Sequence, residues 1–238
     1  FFHVFAMTVV MNLSISIAAK IIMHPRFELE PVLKDLDKKK PTLFPGVPTM
    51  YTAINNYPKL SDYDLSSLKF CLSGGAPLPV EVKQNFESFT GCKLVEGYGL
   101  TETSPIASAN PLMGVSKEAS IGMPLPGTRI IITDREDPHK IMPQGEDGEI
   151  CVEGPQVMLG YWGREEATAE TIIDGRLHTG DVGYMDEEGY TFIIDRMKDL
   201  VLVGGFNVYP REIEEAIYQH PGVEEVTVIG ITDDYLGQ

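Results

Sequence analysis

Residues 97–103 read Gly-Tyr-Gly-Leu-Thr-Glu-Thr, which puts an aromatic ring, two hydroxyls and a carboxylate on one short path. The flanking glycines Gly97 and Gly99 permit a tight backbone that brings side chains close to a ligand. A ring such as Tyr98 can stack on a purine, and a hydroxyl such as Thr101 can donate to a phosphate oxygen. A carboxylate such as Glu102 can hold Mg²⁺ while water and phosphate complete the shell. On residues alone the same string is also a turn with a capping Thr and a solvated Glu. Upstream lies Ser73-Gly74-Gly75-Ala76-Pro77, whose Gly-Gly before Pro is by itself ordinary turn chemistry. Downstream, His178-Thr179-Gly180-Asp181 offers a carboxylate able to accept two hydrogen bonds from a vicinal diol. The alternative there is a turn Asp in an Asp-Val-Gly-Tyr loop. No Ser or Cys sits in an elbow with a paired His, so nothing reads as a covalent nucleophile.

These three stretches and Asp195-Arg196-Met197-Lys198-Asp199, in this order, resemble the motifs of the adenylate-forming enzymes. That family holds acyl-CoA synthetases, firefly luciferase and peptide-synthetase adenylation domains. The resemblance runs nearly end to end and assigns roles residue by residue. It implies that Tyr98 stacks on adenine, Thr101 meets phosphate and Glu102 holds Mg²⁺, with Thr101 and Glu102 the catalytic pair. The backbone of Gly74, Gly75 and Ala76 lies against the adenine, and Ala76 also borders the acyl pocket. Asp181 and Arg196 contact the ribose, and Ile193 lines the nucleotide site. Asp195 and Lys198 belong to a hinge between two catalytic states. Gly204 and Gly205 border the path of the pantetheine arm of coenzyme A, although a plain hairpin turn is the alternative reading of that pair. His3, in Phe-Phe-His-Val-Phe-Ala-Met, matches a gate at the acyl pocket; a lone His near an apolar helix is also a common core residue. His178 positions its loop rather than reacting.

The elements that must carry these residues follow from pattern. Apolar residues recur at helical spacing from Phe5 to about Ile22, and a second helix covers 29–39. Thr42–Phe44 is a strand candidate, followed by a Pro-Gly-Val-Pro turn and a helix from Thr49 into the fifties. Leu68–Ser73 is a buried strand, Pro79 opens a helix to about Thr90, and Lys93–Glu96 is the next strand. Such alternation implies a partly parallel α/β sheet with functional loops at strand ends. After about residue 119 the runs 129–133, 148–153 and 189–194 are short and β-rich, with an acidic helix over 164–173. Val201–Val203 is a further strand, Arg211–Gln219 a helix and Val223–Ile229 a strand. The expected fold is therefore α/β, with a parallel-sheet part over 1–118 and a barrel-like β subdomain over 119–194. By the resemblance, these form the C-terminal part of the large AMP-binding domain, over 1–194, and 195–238 holds the hinge and the truncated start of the small C-terminal domain.

Composition narrows the function classes. The formal charge is −16, and it is uneven: residues 1–132 carry 12 basic and 11 acidic side chains, residues 133–238 carry 7 and 24. Clustered Lys and Arg are what grips a phosphate backbone, so nucleic acid is excluded as a partner. Cys71, Cys92 and Cys151 form no CxxC pair and suit a reducing cytosol. The apolar run 4–19 is interrupted by Thr8, Asn12, Ser14 and Ser16 and falls short of a membrane span. The expected location is cytoplasmic, with peripheral contact at the inner membrane surface and a homodimer both left open.

The resemblance implies ATP, a fatty acid and coenzyme A as substrates, AMP as a product and Mg²⁺ as the metal. It further implies a long-chain fatty-acid–CoA ligase of bacterial type. The family's phosphate-cradling loop would precede His3 and its catalytic Lys would follow Gln238, so this chain by itself is expected to be nearly inactive. Other acids (medium-chain, aryl or amino acids) and a non-catalytic nucleotide- or acyl-binding module remain the alternatives.

Overall fold

The computed structural model describes residues 3–203, 206–218, 220, 222, 223 and 226–232. The chain divides into two compact units, one running to Pro126 with Gln156–Met158, the other comprising Gly127–Pro155 and the chain from Leu159 onward.

The first unit starts with a π-helical stretch, Ala6–Asn12, that continues as a short α-helix, α1 (Leu13–Ser16). It then alternates helix and strand: α2 (Leu29–Lys39), β1 (Leu43–Gly46), α3 (Pro48–Asn55), β2 (Phe70–Ser73), α4 (Val80–Thr90) and β3 (Lys93–Tyr98). Strands β1, β2 and β3 are parallel neighbours, with Leu43 beside Phe70 and Phe70 beside Lys93. Two short antiparallel strands, β4 (Ser108–Ala109) and β5 (Ser120–Pro124), extend the sheet from β3. Parallel strands are buried on both faces, so they read as apolar runs that need helices as covers. Those helices supply Leu33 from α2, Ile54 from α3 and Phe86 from α4 to one cluster with Cys71 of β2 and Leu94 of β3. Each large apolar side chain so buried contributes about 1.5–3 kcal/mol. Tyr51 of α3 is fully buried at the centre, edge-on to Phe44 at 5.7 Å and to Phe86 at 4.9 Å between ring centroids. Its hydroxyl points at the carbonyls of Phe44 (2.8 Å) and Leu72 (3.1 Å), which fastens α3 to β1 and β2.

The second unit is β-rich. Strands β6 (Arg129–Thr133), β7 (Gly148–Glu153), β9 (Arg176–Met185) and β10 (Thr191–Arg196) are antiparallel in the order β10-β9-β7-β6, and β8 (Ile172–Ile173) pairs with β9 after helix α5 (Glu165–Thr171). Ile130–Ile132, Ile150–Val152, Leu177 and Val182 fill its core. A hairpin of β11 (Val201–Val203) and β12 (Phe206–Val208) precedes helix α6 (Pro210–Tyr218).

The expected α/β fold with parallel-sheet and β-rich parts is present, and most predicted elements lie within two residues of their expected bounds. Four differ. The first helix stops at Ser16 rather than about Ile22, because Ala18 turns left-handed (φ +54°) and closes the end. The Ala19 N–H reaches the Ser14 carbonyl at 2.8 Å and that of Ala18 the Ile15 carbonyl at 3.1 Å, which is a Schellman arrangement. Pro45 and Gly46, expected in a turn, complete β1. His178–Asp181, expected in a loop, lies inside the ten-residue strand β9. The described residues of the predicted strand 223–229 are not in a strand; the Val228 N–H goes instead to the Glu214 carboxylate at 2.7 Å, where a ladder bond would have been needed.

Candidate functional site

In the first unit the candidates gather where ligands bind in parallel α/β sheets, at the carboxyl ends of the strands. Gly74, Gly75 and Ala76 leave the end of β2, and Gly97 and Tyr98 finish β3. The two loops run side by side, since a Cβ built on Gly74 would lie 3.5 Å from the Gly97 carbonyl oxygen. Gly74 is buried, whereas Gly75 and Ala76 are exposed. Gly75 has φ +85°, a left-handed conformation that suits a residue without Cβ. The loop is also tied from below. Glu96, a buried acid on β3, accepts the Leu78 N–H at 3.2 Å.

Gly99 is where the second loop turns back. A Cβ there would sit 1.7 Å from the Pro105 carbonyl oxygen, so residues 99 and 105 can approach only without one. Between them the chain makes one tight turn, Thr101–Thr103. Thr103 is fully buried and holds it: its hydroxyl accepts the Leu100 N–H at 2.9 Å and donates to the Pro105 carbonyl at 2.7 Å. The Ala107 N–H meets the Tyr98 carbonyl at 2.8 Å, and the Met158 N–H meets that of Glu102, also at 2.8 Å. The outcome is an exposed Thr101 beside a half-buried Glu102 on a braced turn. The N-terminal helical segment leans on both loops. Thr8 donates to the Ser104 carbonyl at 3.2 Å, and the Phe5 ring lies 3.3 Å from the Gly74 Cβ position. His3, just before it, is exposed, and its Nδ1 accepts the Phe5 N–H at 3.2 Å.

In the second unit Asp181 and Arg196 face each other across β9 and β10. The Arg196 Nε–H donates to Asp181 Oδ1 at 3.0 Å; the acid is 5 % exposed and the Arg side chain 63 %. Ile193, three residues earlier on β10, is half-buried. Asp195 is buried and takes the Arg196 N–H at 2.7 Å on one oxygen and the Arg211 N–H at 3.3 Å on the other. The second bond caps the first turn of α6, a common use of a carboxylate at a helix N-terminus. Lys198 is exposed. Gly204 and Gly205 lie outside the described residues.

Four contributors were not singled out from the sequence: Thr8, Glu96, Thr103 and Glu149. Thr103 and Glu96 lie next to the Gly-Tyr-Gly-Leu-Thr-Glu string but act through backbone partners that no spacing shows. Glu149, treated below, left one trace, an acid inside the apolar strand Gly-Glu-Ile-Cys-Val.

Glycine-lined loops at the carboxyl ends of parallel strands, with an exposed Thr beside a carboxylate, are an arrangement suited to a phosphate-bearing ligand. The family model for "AMP-binding enzyme" matches residues 1–162, and the chain belongs to that family. It is 53 % identical over 238 residues to a long-chain-fatty-acid–CoA ligase of Bacillus subtilis (strain 168), covering all of this chain and 42 % of that protein. It is 40 % identical to a feruloyl-CoA synthase of Amycolatopsis, covering 48 % of that protein. Among solved structures, ATP-bound MatB from Rhodopseudomonas palustris superposes with a TM-score of 0.92 at 37 % identity, over 99 % of this chain and 46 % of that one. The chain thus spans less than half the length of the relatives it matches.

Proposed function

We propose that the protein carrying this chain joins a long-chain fatty acid to coenzyme A in two steps. A fatty-acid carboxylate oxygen attacks the α-phosphorus of ATP, and pyrophosphate leaves. The coenzyme A sulfur then attacks the acyl-adenylate carbonyl, AMP leaves, and the thiol proton passes to solvent. The observation that carries the reading is the pair of loops at the ends of β2 and β3, with Thr101 and Glu102 on a turn braced by Thr103. Adenylyl transfer depends on positioning and charge stabilisation rather than on a protein nucleophile, and a braced turn supplies positioning.

In this reading the backbone of Gly74, Gly75 and Ala76 takes the adenine, Tyr98 stacks on it, and the Thr101 hydroxyl donates to phosphate. Asp181 accepts the ribose hydroxyls, Arg196 adds a ribose contact and Ile193 lines the nucleotide site. Glu102 suits Mg²⁺ by its chemistry, a hard carboxylate on a half-buried side chain, with water and phosphate to complete the shell. When bound there, Mg²⁺ neutralises phosphate charge. His3 and Ala76 border the acyl chain, Gly204 and Gly205 the pantetheine arm. Asp195 and Lys198 form the hinge where this C-terminal part of the large domain, 1–194, passes into the small one. Among the described residues no helix is long and apolar enough to cross a membrane. A cytoplasmic protein, with a homodimer or peripheral contact at the inner membrane surface, is part of the same proposal.

A second reading, an aryl acid in place of the fatty acid, is favoured by the feruloyl-CoA synthase relative. The test is AMP release by the whole protein with palmitate or ferulate, with and without coenzyme A. Palmitate-dependent AMP with matching coenzyme A consumption supports the ligase. Ferulate-dependent AMP alone supports the second reading. AMP from palmitate without coenzyme A consumption points to another acceptor, and no AMP from either acid overturns both.

A further inference from the structure

Between β7 and β9 the ladder slips. Glu149 is opposite Val182, but Cys151 is opposite His178, so Thr179, Gly180 and Asp181 together face the single residue Ile150. A bulge of this kind kinks a strand and re-aims its side chains. Here it sits on the residue assigned to the ribose. Gly180 takes φ +75°, and the Thr179 hydroxyl donates to the Ile150 carbonyl at 2.7 Å while accepting the Asp181 N–H at 3.1 Å.

One side chain spans the slip. Glu149 Oε1 accepts the Gly180 N–H at 2.9 Å, and Oε2 is 2.7 Å from Nδ1 of His178. Both partners are well covered, Glu149 with 12 % and His178 with 5 % of the side chain exposed. The other ring nitrogen of His178, Nε2, is buried with no hydrogen-bond partner among the described residues. The imidazole is therefore oriented through Nδ1, which faces Glu149 and, at 3.4 Å, the Cys151 sulfur. Glu149, Cys151 and His178 bring oxygen, sulfur and nitrogen within 4.8 Å of one another, a donor set that also suits a metal. The distances favour hydrogen bonding. Nitrogen and oxygen ligands on one tetrahedral zinc lie about 3.3 Å apart, against 2.7 Å here, and each Glu149 oxygen already has a protein partner.

We infer that Glu149 is a positioning residue for nucleotide binding. It holds His178 and Gly180 on either side of Thr179, fixes the bulge, and so sets the direction of the Asp181 carboxylate toward the ribose diol. The inference rests on the ribose role proposed for Asp181. Without Glu149 the bulge loses its clamp, and Asp181 no longer meets the diol in one geometry.

The test compares ATP with 2′-deoxy-ATP in acid-dependent AMP release by the whole protein, for wild type, Glu149→Ala, Asp181→Ala and the double variant. The wild type is expected to prefer ATP, and Asp181→Ala to lose about tenfold of that preference, the size of one charge-assisted hydrogen bond. Glu149→Ala is expected to lose a similar factor, mainly through KM for ATP, with KM for the acid unchanged and the double variant no worse than Asp181→Ala. A general loss of stability would lower both nucleotides alike and leave the ratio intact. If Glu149→Ala does not fold, Glu149→Gln, of similar volume, is read in the same way. Preference lost in Asp181→Ala but kept in the Glu149 variant overturns the positioning role alone. Preference kept in Asp181→Ala overturns the ribose assignment, and the positioning role with it.

Discussion

Replacing Gly99 by Ala tests whether the 99–105 turn is the scaffold of Thr101 and Glu102, the residues proposed to face phosphate and Mg²⁺. The added Cβ would stand 1.7 Å from the Pro105 oxygen, 2.6 Å from its carbonyl carbon and 2.8 Å from the Ile106 Cα, all backbone atoms. No rotamer change relieves a clash with backbone. To regain ordinary contact, one strand of the turn must move by about 1.5 Å. Two hydrogen bonds resist, from Thr103 to the Pro105 carbonyl and from the Ala107 N–H to the Tyr98 carbonyl. Overpacking costs about 1–3 kcal/mol, and the two bonds add about 1 kcal/mol each if they break. The expected loss of stability is therefore about 3–5 kcal/mol, read from urea unfolding. Thr101 and Glu102 lie inside the turn, and a misplacement of about 1 Å costs on the order of 100-fold in rate. The functional assay is acid-dependent pyrophosphate release over a range of ATP concentrations. Gly91→Ala is the control: Gly91 ends α4 at φ +69° with no atom within 4 Å of the added carbon, so only backbone strain of about 1–2 kcal/mol is expected, with activity retained. Wild-type stability and a rate within twofold in Gly99→Ala would refute the reasoning.

Two further outcomes are expected. Tyr51→Phe removes a hydroxyl shared by the Phe44 and Leu72 carbonyls and should cost about 1 kcal/mol in urea unfolding, with the ring packing kept. The Cys151 thiol is pushed up to about 12 by its burial, against 9.0 for a free thiol. Because the folded value is the higher one, its contribution to stability is complete below pH 9 and is lost as pH rises through about 12. Native protein at pH 8 should leave this thiol unalkylated, and unfolding should expose it.

Much of the candidate site was legible because it depends on local chemistry. Gly97, Gly99, Thr101 and Glu102 form a string whose glycines and polar groups are recognisable without a fold, and β2, α4 and β3 follow from apolar runs punctuated by Pro79 and Gly91. The misses share a physical cause: each depends on a partner distant in the chain or on an unusual conformation. His178–Asp181 has the composition of a turn, yet the ladder to β7 keeps it in a strand by absorbing Thr179 and Gly180 in a bulge. Ala18 ends the first helix in a conformation usually left to Gly, so no breaker residue marks the end. Val228 was expected to pair in a sheet, but the Glu214 carboxylate, 14 residues earlier, takes its N–H.

The central claim, activation of a fatty acid as its adenylate, is tested most directly by exchange of labelled pyrophosphate into ATP, catalysed by the whole protein without coenzyme A. The expected result is exchange that requires palmitate and Mg²⁺ and falls when Glu102 is replaced by Ala. Folded protein that binds ATP but shows no palmitate-dependent exchange would contradict it.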